Sequence, residues 1–426
     1  MNEHIPSRQQ DAPARAEGAS QHQMSPKNRA WIHGLWLHYS RYMHRGSRNA
    51  EPSYVESLES WIGQLPEICR RQTDIAVSEE VMQEVADTFA EMEIGSVRDA
   101  LHERVKHRVR VLKKPIGSSD DNDTAYRPRL GEPRISSLVA LASVLLKRGV
   151  IKHIEQLSSF AFKKYESSEV PDVKLAECTM LYAENYAENP ALRDRLITNF
   201  NKIQRTSRAM LHTLECEGRI VAFDRFDVVG RDFHDRPVVH FGAMNVSRNL
   251  RGQSLGGILM DESLNPEAQS NPIIAECDLG SQVALSYIND RGFVGTAIFR
   301  DWLGITMMWI QKDEQTPHRL ITKEWTDEEI LQKLGNHTET YFHNLPEVVH
   351  IKRGKPQYMP EIFPSLSQED NVVLTRIVED GDNIIAVFEG FPDVISPDML
   401  TVDRSKKRYV DAVLDMRHAE PSRQTN

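Results

Sequence analysis

The chain has 426 residues, 40% of them hydrophobic and 27% charged, which excludes a collagen-like or wholly disordered protein. That length allows two or three domains. Its 52 Lys and Arg against 62 Asp and Glu leave a net charge of −10, which argues against a general nucleic-acid binder but allows a local basic site.

Residues 1–26 are polar and aperiodic and read as a disordered tail. They lack the apolar stretch of a signal peptide, and no apolar run long enough to span a membrane follows. A helical region covers 27–114. Its aromatic opening, residues 31–39, could anchor a helix, and Tyr54, Leu58, Trp61, Ile62 and Leu65 have helical spacing. A third pattern runs through Val81, Val85, Phe89 and Met92, is interrupted at Gly95, and resumes at Val97. The basic run 104–114 reads as a solvated face or a contact for phosphate, nucleic acid or anionic lipid. Residues 115–134, rich in Pro, Gly, Ser and Asp, form a linker. A further helical region covers 135–171, with the pattern continuing to Phe160. A helix-turn-helix would fit around Gly149, but plain helical packing fits the acidic chain better.

From about residue 172 short apolar runs alternate with helical ones. Residues 173–182 suit a strand or a helix start, and 190–204 a helix. A hairpin turns at Glu217-Gly218. Strands follow at 238–246, 273–277, 294–299 and 305–311, with helices at 254–264, stopped by Pro266, and 281–291. Residues 313–426 form a small α+β extension, with a hairpin at 372–390 and a helix near 405–417. The four cysteines, Cys69, Cys178, Cys216 and Cys277, stand far apart and fit neither a disulfide scaffold nor a metal site. A reducing, cytoplasmic compartment is the simplest reading.

The chemistry concentrates where the strand 238–246 ends. The following loop, Arg251-Gly252-Gln253-Ser254-Leu255-Gly256-Gly257, opens a helix whose first N–H groups and positive dipole end suit an anion such as a pyrophosphate. No Lys-Ser/Thr follows, so it is not a Walker A loop, nor is it a dinucleotide fingerprint. The loop resembles the acyl-CoA loop of the GNAT superfamily of N-acyltransferases, Arg/Gln-x-x-Gly-x-Gly/Ala, with Arg251 first, Gly256 last, and Ser254, a good N-cap, at the middle glycine. Residues 281–293 are similar to the family's second motif at Ala284, Gly292 and Phe293. Ser281 replaces its Asn, and Ile288 occupies its tyrosine position, with Tyr287 one residue away.

The resemblance covers roughly residues 172–312. It implies an α+β fold with a GNAT-like mixed central sheet flanked by helices, and transfer of an acyl group, acetyl or longer, from acyl-CoA to an amine. No metal is implied. The pantetheine would meet backbone near Met244 and Val246, and the pyrophosphate the amides of Gly252 to Gly257. Arg251 would add charge and Ser281 would stand beside the cradle. Alternation places Val238, His240, Gly242, Met244 and Val246 on one face. The family's carboxylate base falls near Val238, so His240 is the candidate base, with Glu276, Asp278 and Asp227 behind it. A hydrogen-bonded structural His240 is the plain alternative. The acceptor stays open among polyamine, antibiotic, amino acid and protein lysine. A rival reading is a CoA-binding scaffold with decayed catalysis that works through its helices.

Overall fold

The structure, a computed structural model, describes residues 24–43, 54–73, 75–112, 133–166, 168–185, 197–198, 209–278, 282–300, 306–315, 320–342, 348–355, 372–391 and 393–395. The chain divides into two compact units, residues 1–158 and 159–426.

The first unit holds helices α1 (Pro26–Met43), α2 (Tyr54–Gln72), α3 (Glu79–Leu112) and α4 (Pro133–Lys147). The periodic positions are the ones that bury: Leu58, Ile62 and Leu65 of α2, Val85 and Phe89 of α3, and Leu138, Leu141 and Leu145 of α4 are at most 3% exposed. Helix α3 runs unbroken through Gly95, against the expected interruption. One helical glycine costs about 1 kcal/mol, less than the apolar face beside it contributes. The tail boundary also moves, because Met24 is buried and Pro26 already opens α1.

The helical pattern expected to reach Phe160 stops at Lys147. Gly149 turns the chain with φ 67°, Ile154–Gln156 makes a single 3₁₀ turn, and 160–166 is a strand. No second helix of a helix-turn-helix is found there. Most of the tail, linker residues 115–132, nearly all of 190–204, the helix near 405–417 and the side chains of 104–114 lie outside the described residues.

The second unit is a mixed sheet with helices. In chain order it runs β1 (Phe160–Glu166), α5 (Asp172–Asn185), β2 (Met210–Cys216), β3 (Arg219–Arg231), β4 (Pro237–Val246) and α6 (Leu255–Ser270). Then come β5 (Ile273–Asp278), α7 (Gln282–Leu285) continued by a π turn over Ser286–Asp290, β6 (Val294–Arg300) and β7 (Thr306–Lys312). The chain goes on with α8 (Asp327–Leu334), β8 (Glu339–Phe342), β9 (Val349–Gly354), β10 (Val372–Asp380) and β11 (Asn383–Gly390). Among the described residues the 11 strands are ordered β1-β2-β3-β4-β5-β7-β6-β10-β11-β9-β8. Among the described residues β4 and β5 are the parallel neighbours, and the other pairs are antiparallel.

Both hairpins turn where expected, Glu217-Gly218 at φ 51° and 76° and Gly381 at 62°. Residues 173–182 are helical. Pro266 does not stop α6: it lies on the exposed side of the helix, while Ala268 stays buried. The boundary expected at 312 is also corrected. Val372, Leu374, Ile377, Ala386 and Phe388 share one core with Phe226, Phe241, Met260 and Phe293, so the C-terminal strands extend the same sheet.

Candidate functional site

Strands β4 and β5 pair only at Val239–Ile273, His240–Ile274 and Phe241–Ala275. They then part. Gly242–Val246 pair with β3 alone, and Glu276–Asp278 with β7 alone. The split leaves a slot in the middle of the sheet with strand edge on either side. Its cause is local: β4 carries a bulge, with Ala243 and Met244 opposite Asp224, and Ala243 sits at φ 57°.

The bulge also corrects the expected strand face. His240, Gly242 and Asn245 face the same way as Asp227, Arg225 and Phe223 on β3, whereas Val246 pairs with Ala222 on the other face. The side chains of Met244 and Val246 come within 3.4–3.5 Å of where a Cβ on Gly256 would lie. They thus face α6, away from His240.

The loop from β4 to α6 holds two left-handed residues. Gly252 has φ 78° and Ser254 φ 57°, so the chain doubles back just before the helix. The first intrahelical bond runs from Ile258 N–H to the Ser254 carbonyl. The N–H groups of Leu255, Gly256 and Gly257 precede it and have no acceptor in the helix. Ser254 makes no side-chain cap bond, so it occupies a glycine-type conformation and is not the capping serine expected. Gln253 lies between the two left-handed residues. Arg251 is engaged: its guanidinium donates to Asn185 at the end of α5, whose amide donates to Asn245, which in turn donates to the Ala243 carbonyl at 2.8 Å. This chain ties the loop to the bulge. Ser281 lies outside the described residues.

Arg291 escaped sequence reasoning because it directly precedes the motif's Gly-Phe. Its guanidinium comes within 2.7 Å of where a Cβ on Gly257 would stand, and it pairs with Asp261. A cation therefore borders the first turn of α6, and Gly257 leaves room for it. Gly292 ends the π turn at φ 76°, as expected of the residue after a helix.

Tyr287 is buried against Phe241 and Phe293, at ring distances of 6.1 and 5.2 Å, and burial raises its hydroxyl pKa. Ile288 is fully buried. The Cys277 thiol is pushed up to about 12 by burial, so it is no thiolate nucleophile. Among the described residues no three His, Cys, Asp or Glu side chains group as metal ligands.

On the face opposite α6, His240 stands one residue short of the split and is 3% exposed. Among the described residues neither ring nitrogen has a hydrogen-bond partner. The ring overlies Gly242: a Cβ there would come within 3.0 Å of His240 Cε1. Asp227 is its cross-strand partner, and Glu276 Oε2 lies 3.7 Å from Nε2. Asp278 is exposed at the end of β5.

No protein-family model matches the chain, and no curated protein does. Solved structures do. ElaA from Escherichia coli aligns at 16% identity over 36% of this chain and 99% of its own, with a TM-score of 0.29. An acyl-CoA N-acyltransferase from Pseudomonas aeruginosa gives the same identity, coverage and score. YncA from Salmonella typhimurium, solved with its cofactor acetyl-CoA, aligns at 14% identity over 38% of this chain and 99% of its own, with a TM-score of 0.28. A structure described as a putative acetyltransferase of the GNAT family, from Desulfovibrio desulfuricans, aligns at 10% identity over 36% of this chain and 98% of its own, with a TM-score of 0.30. No described helix is long and apolar enough to cross a membrane.

Proposed function

We propose that the second unit transfers an acyl group from acyl-CoA to an amine. One observation carries this reading: a split between parallel strands, its open β4 edge leading into a helix start whose N–H groups lack acceptors in the helix. An extended chain bearing amides can add to the open edge as a strand would. A pyrophosphate at its far end meets the N–H groups of Leu255, Gly256 and Gly257, with Arg291 close by. CoA has both features, so the residues fit it.

In this reading the thioester lies in the slot beside His240. The imidazole takes a proton from the acceptor, and the freed nitrogen attacks the thioester carbon. N–H groups on the β4 edge stabilise the oxyanion. The carbon–sulfur bond then breaks, and a proton from the attacking nitrogen passes to the sulfur. Balance is reached without the tyrosine that Ile288 replaces. His240→Gln should keep acyl-CoA affinity within a few-fold and lose about 10²–10⁴ in turnover.

The scaffold reading is favoured by the missing tyrosine and shares the slot. Calorimetry with CoA, acetyl-CoA and longer acyl-CoAs, run beside an assay of thiol release, separates the two. Amine-dependent release supports the enzyme, and tight binding without release under any amine supports the scaffold.

A further inference from the structure

Helix α1 of the first unit is apolar on two sides. It packs on α2 and α3 through Ile32, which is 1% exposed. Arg29 pairs with Glu59 of α2, and Arg98 of α3 stands over the Trp31 ring, its Cζ 5.5 Å from the ring centre. The opposite side faces solvent, where an ordinary surface helix carries charged and polar residues. Here it reads Lys27, Ala30, Gly34 and Leu37, all exposed and spaced along one helical face. Leu37 is 42% exposed, and Trp31, at the α3 edge of this stripe, is 43% exposed. Charge decides what such a face meets. Residues 26–48 hold five Lys and Arg and no Asp or Glu. Residues 104–114, into which α3 runs on from Arg98, hold six and none, in a chain whose net charge is −10. A second copy of the chain would bring the same positive charge to the contact. Nucleic acid would use the cations alone and leave Leu37 in water. An anionic bilayer uses both features, because its headgroups attract Lys and Arg while Trp and Leu enter the acyl boundary.

We propose that the outer face of α1 docks on a membrane surface carrying anionic lipid. The helix lies in the headgroup plane, with Trp31 and Leu37 inserted and Lys27 and Arg98 on lipid phosphates. The contact is with the surface, since no described helix is long and apolar enough to cross the bilayer. This inference goes beyond the acyl-transfer reading and does not rest on it.

The test is vesicle co-sedimentation of the full chain. Phosphatidylcholine vesicles are compared with vesicles in which about one-third of the lipid is phosphatidylserine. The anionic vesicles should bind at least about tenfold more tightly, and most of that advantage should be lost at about 1 M salt. Trp31→Ser combined with Leu37→Ser should weaken binding at least about fivefold with the fold retained, because both side chains are exposed. Lys27→Glu, on the same face, gives a second reading in the same direction should the double variant fail to fold. Equal binding to both vesicles, no binding to either, or unchanged binding in every folded variant overturns the inference. Vesicles left unbound while a DNA duplex binds in a Lys27-dependent way would assign the face to nucleic acid. Vesicles left unbound while a dimer forms that the double variant abolishes would assign it to a second copy of the chain. Either result also overturns the inference.

Discussion

Ser263 on α6 stands 2.7 Å from the Leu259 carbonyl and 2.5 Å from Asp224 Oδ2, while His212 Nδ1 lies 2.9 Å from Asp224 Oδ1. A hydroxyl has one proton and cannot donate to two acceptors at once. The count closes when Asp224 carries a proton, donates it to Ser263, and lets Ser263 donate to Leu259. Burial points the same way, holding the Asp224 carboxyl above the usual carboxylate range. A raised value means that the folded state binds this proton more tightly than the unfolded chain does. The resulting stabilisation is complete below the unfolded value of about 3.9 and is lost as pH rises through the folded one. Asn mimics the protonated acid at every pH. Asp224→Asn should therefore match wild type near pH 4 and exceed it in urea melts at pH 8. A variant markedly less stable at pH 8 would show that Asp224 is ionised there. None of this was visible in the sequence, where His212, Asp224 and Ser263 are unrelated residues on three elements.

At the scale of elements, the β4 bulge decides the geometry of the site. Alternation correctly placed His240 and Gly242 together, and it failed at Met244 and Val246 because Ala243 adds one residue to the count. A left-handed alanine carries no sequence signal, whereas the left-handed Gly218, Gly292 and Gly381 did, and those turns were read correctly. The left-handed region costs an L-residue roughly 1–2 kcal/mol, and a β-branched side chain is worse placed there. Ala243→Val should lose at least about 1 kcal/mol in denaturant melts, and Ala243→Gly should stay within about 1 kcal/mol of wild type. A Val variant as stable as wild type would mean that the bulge relaxes without cost.

The π turn beside the slot is likewise held by elements that the sequence reading assigned to a separate extension. Asn289 exchanges two hydrogen bonds with Ile377 on β10, at 2.7 and 3.1 Å. Lys323 Nζ donates to the carbonyls of Ile288 and Phe293, the latter at 3.1 Å, and burial lowers its pKa to about 8. Such long-range contacts, 30 or more residues apart in the chain, have no local pattern to announce them.

At the scale of the molecule, the order of strands and helices from 210 to 312 was legible because each run is short, apolar and closed by Gly, Pro or a charged turn. The limits of the unit were not. Strand β1 pairs with β2 and lies before the expected boundary at 172, and the strands after 312 complete the core. Two truncations check this. A chain starting at Gln23 keeps Met24 and should melt within a degree or two of the full chain. A chain ending at Lys312 loses the β10 and β11 side of the core, with Lys323 and the Ile377 contacts, and should fail to fold cooperatively. A cooperative melt from residues 1–312 would restore the boundary at 312.

The most direct measurement is titration calorimetry of acetyl-CoA against wild type and Gly256→Asp. A Cβ at position 256 would make ordinary contacts of 3.4–3.5 Å with Met244 and Val246, and an acid in the first turn suits the helix dipole, so the fold should hold. The same carboxylate would stand near the N–H groups proposed to meet a pyrophosphate. Wild type should bind acetyl-CoA, and the folded variant should bind it at least about tenfold more weakly, a loss of about 1.4 kcal/mol. Equal affinity in a folded Gly256→Asp variant, or no binding by wild type, would contradict the assignment of the β4–β5 slot and its helix start as the acyl-CoA site.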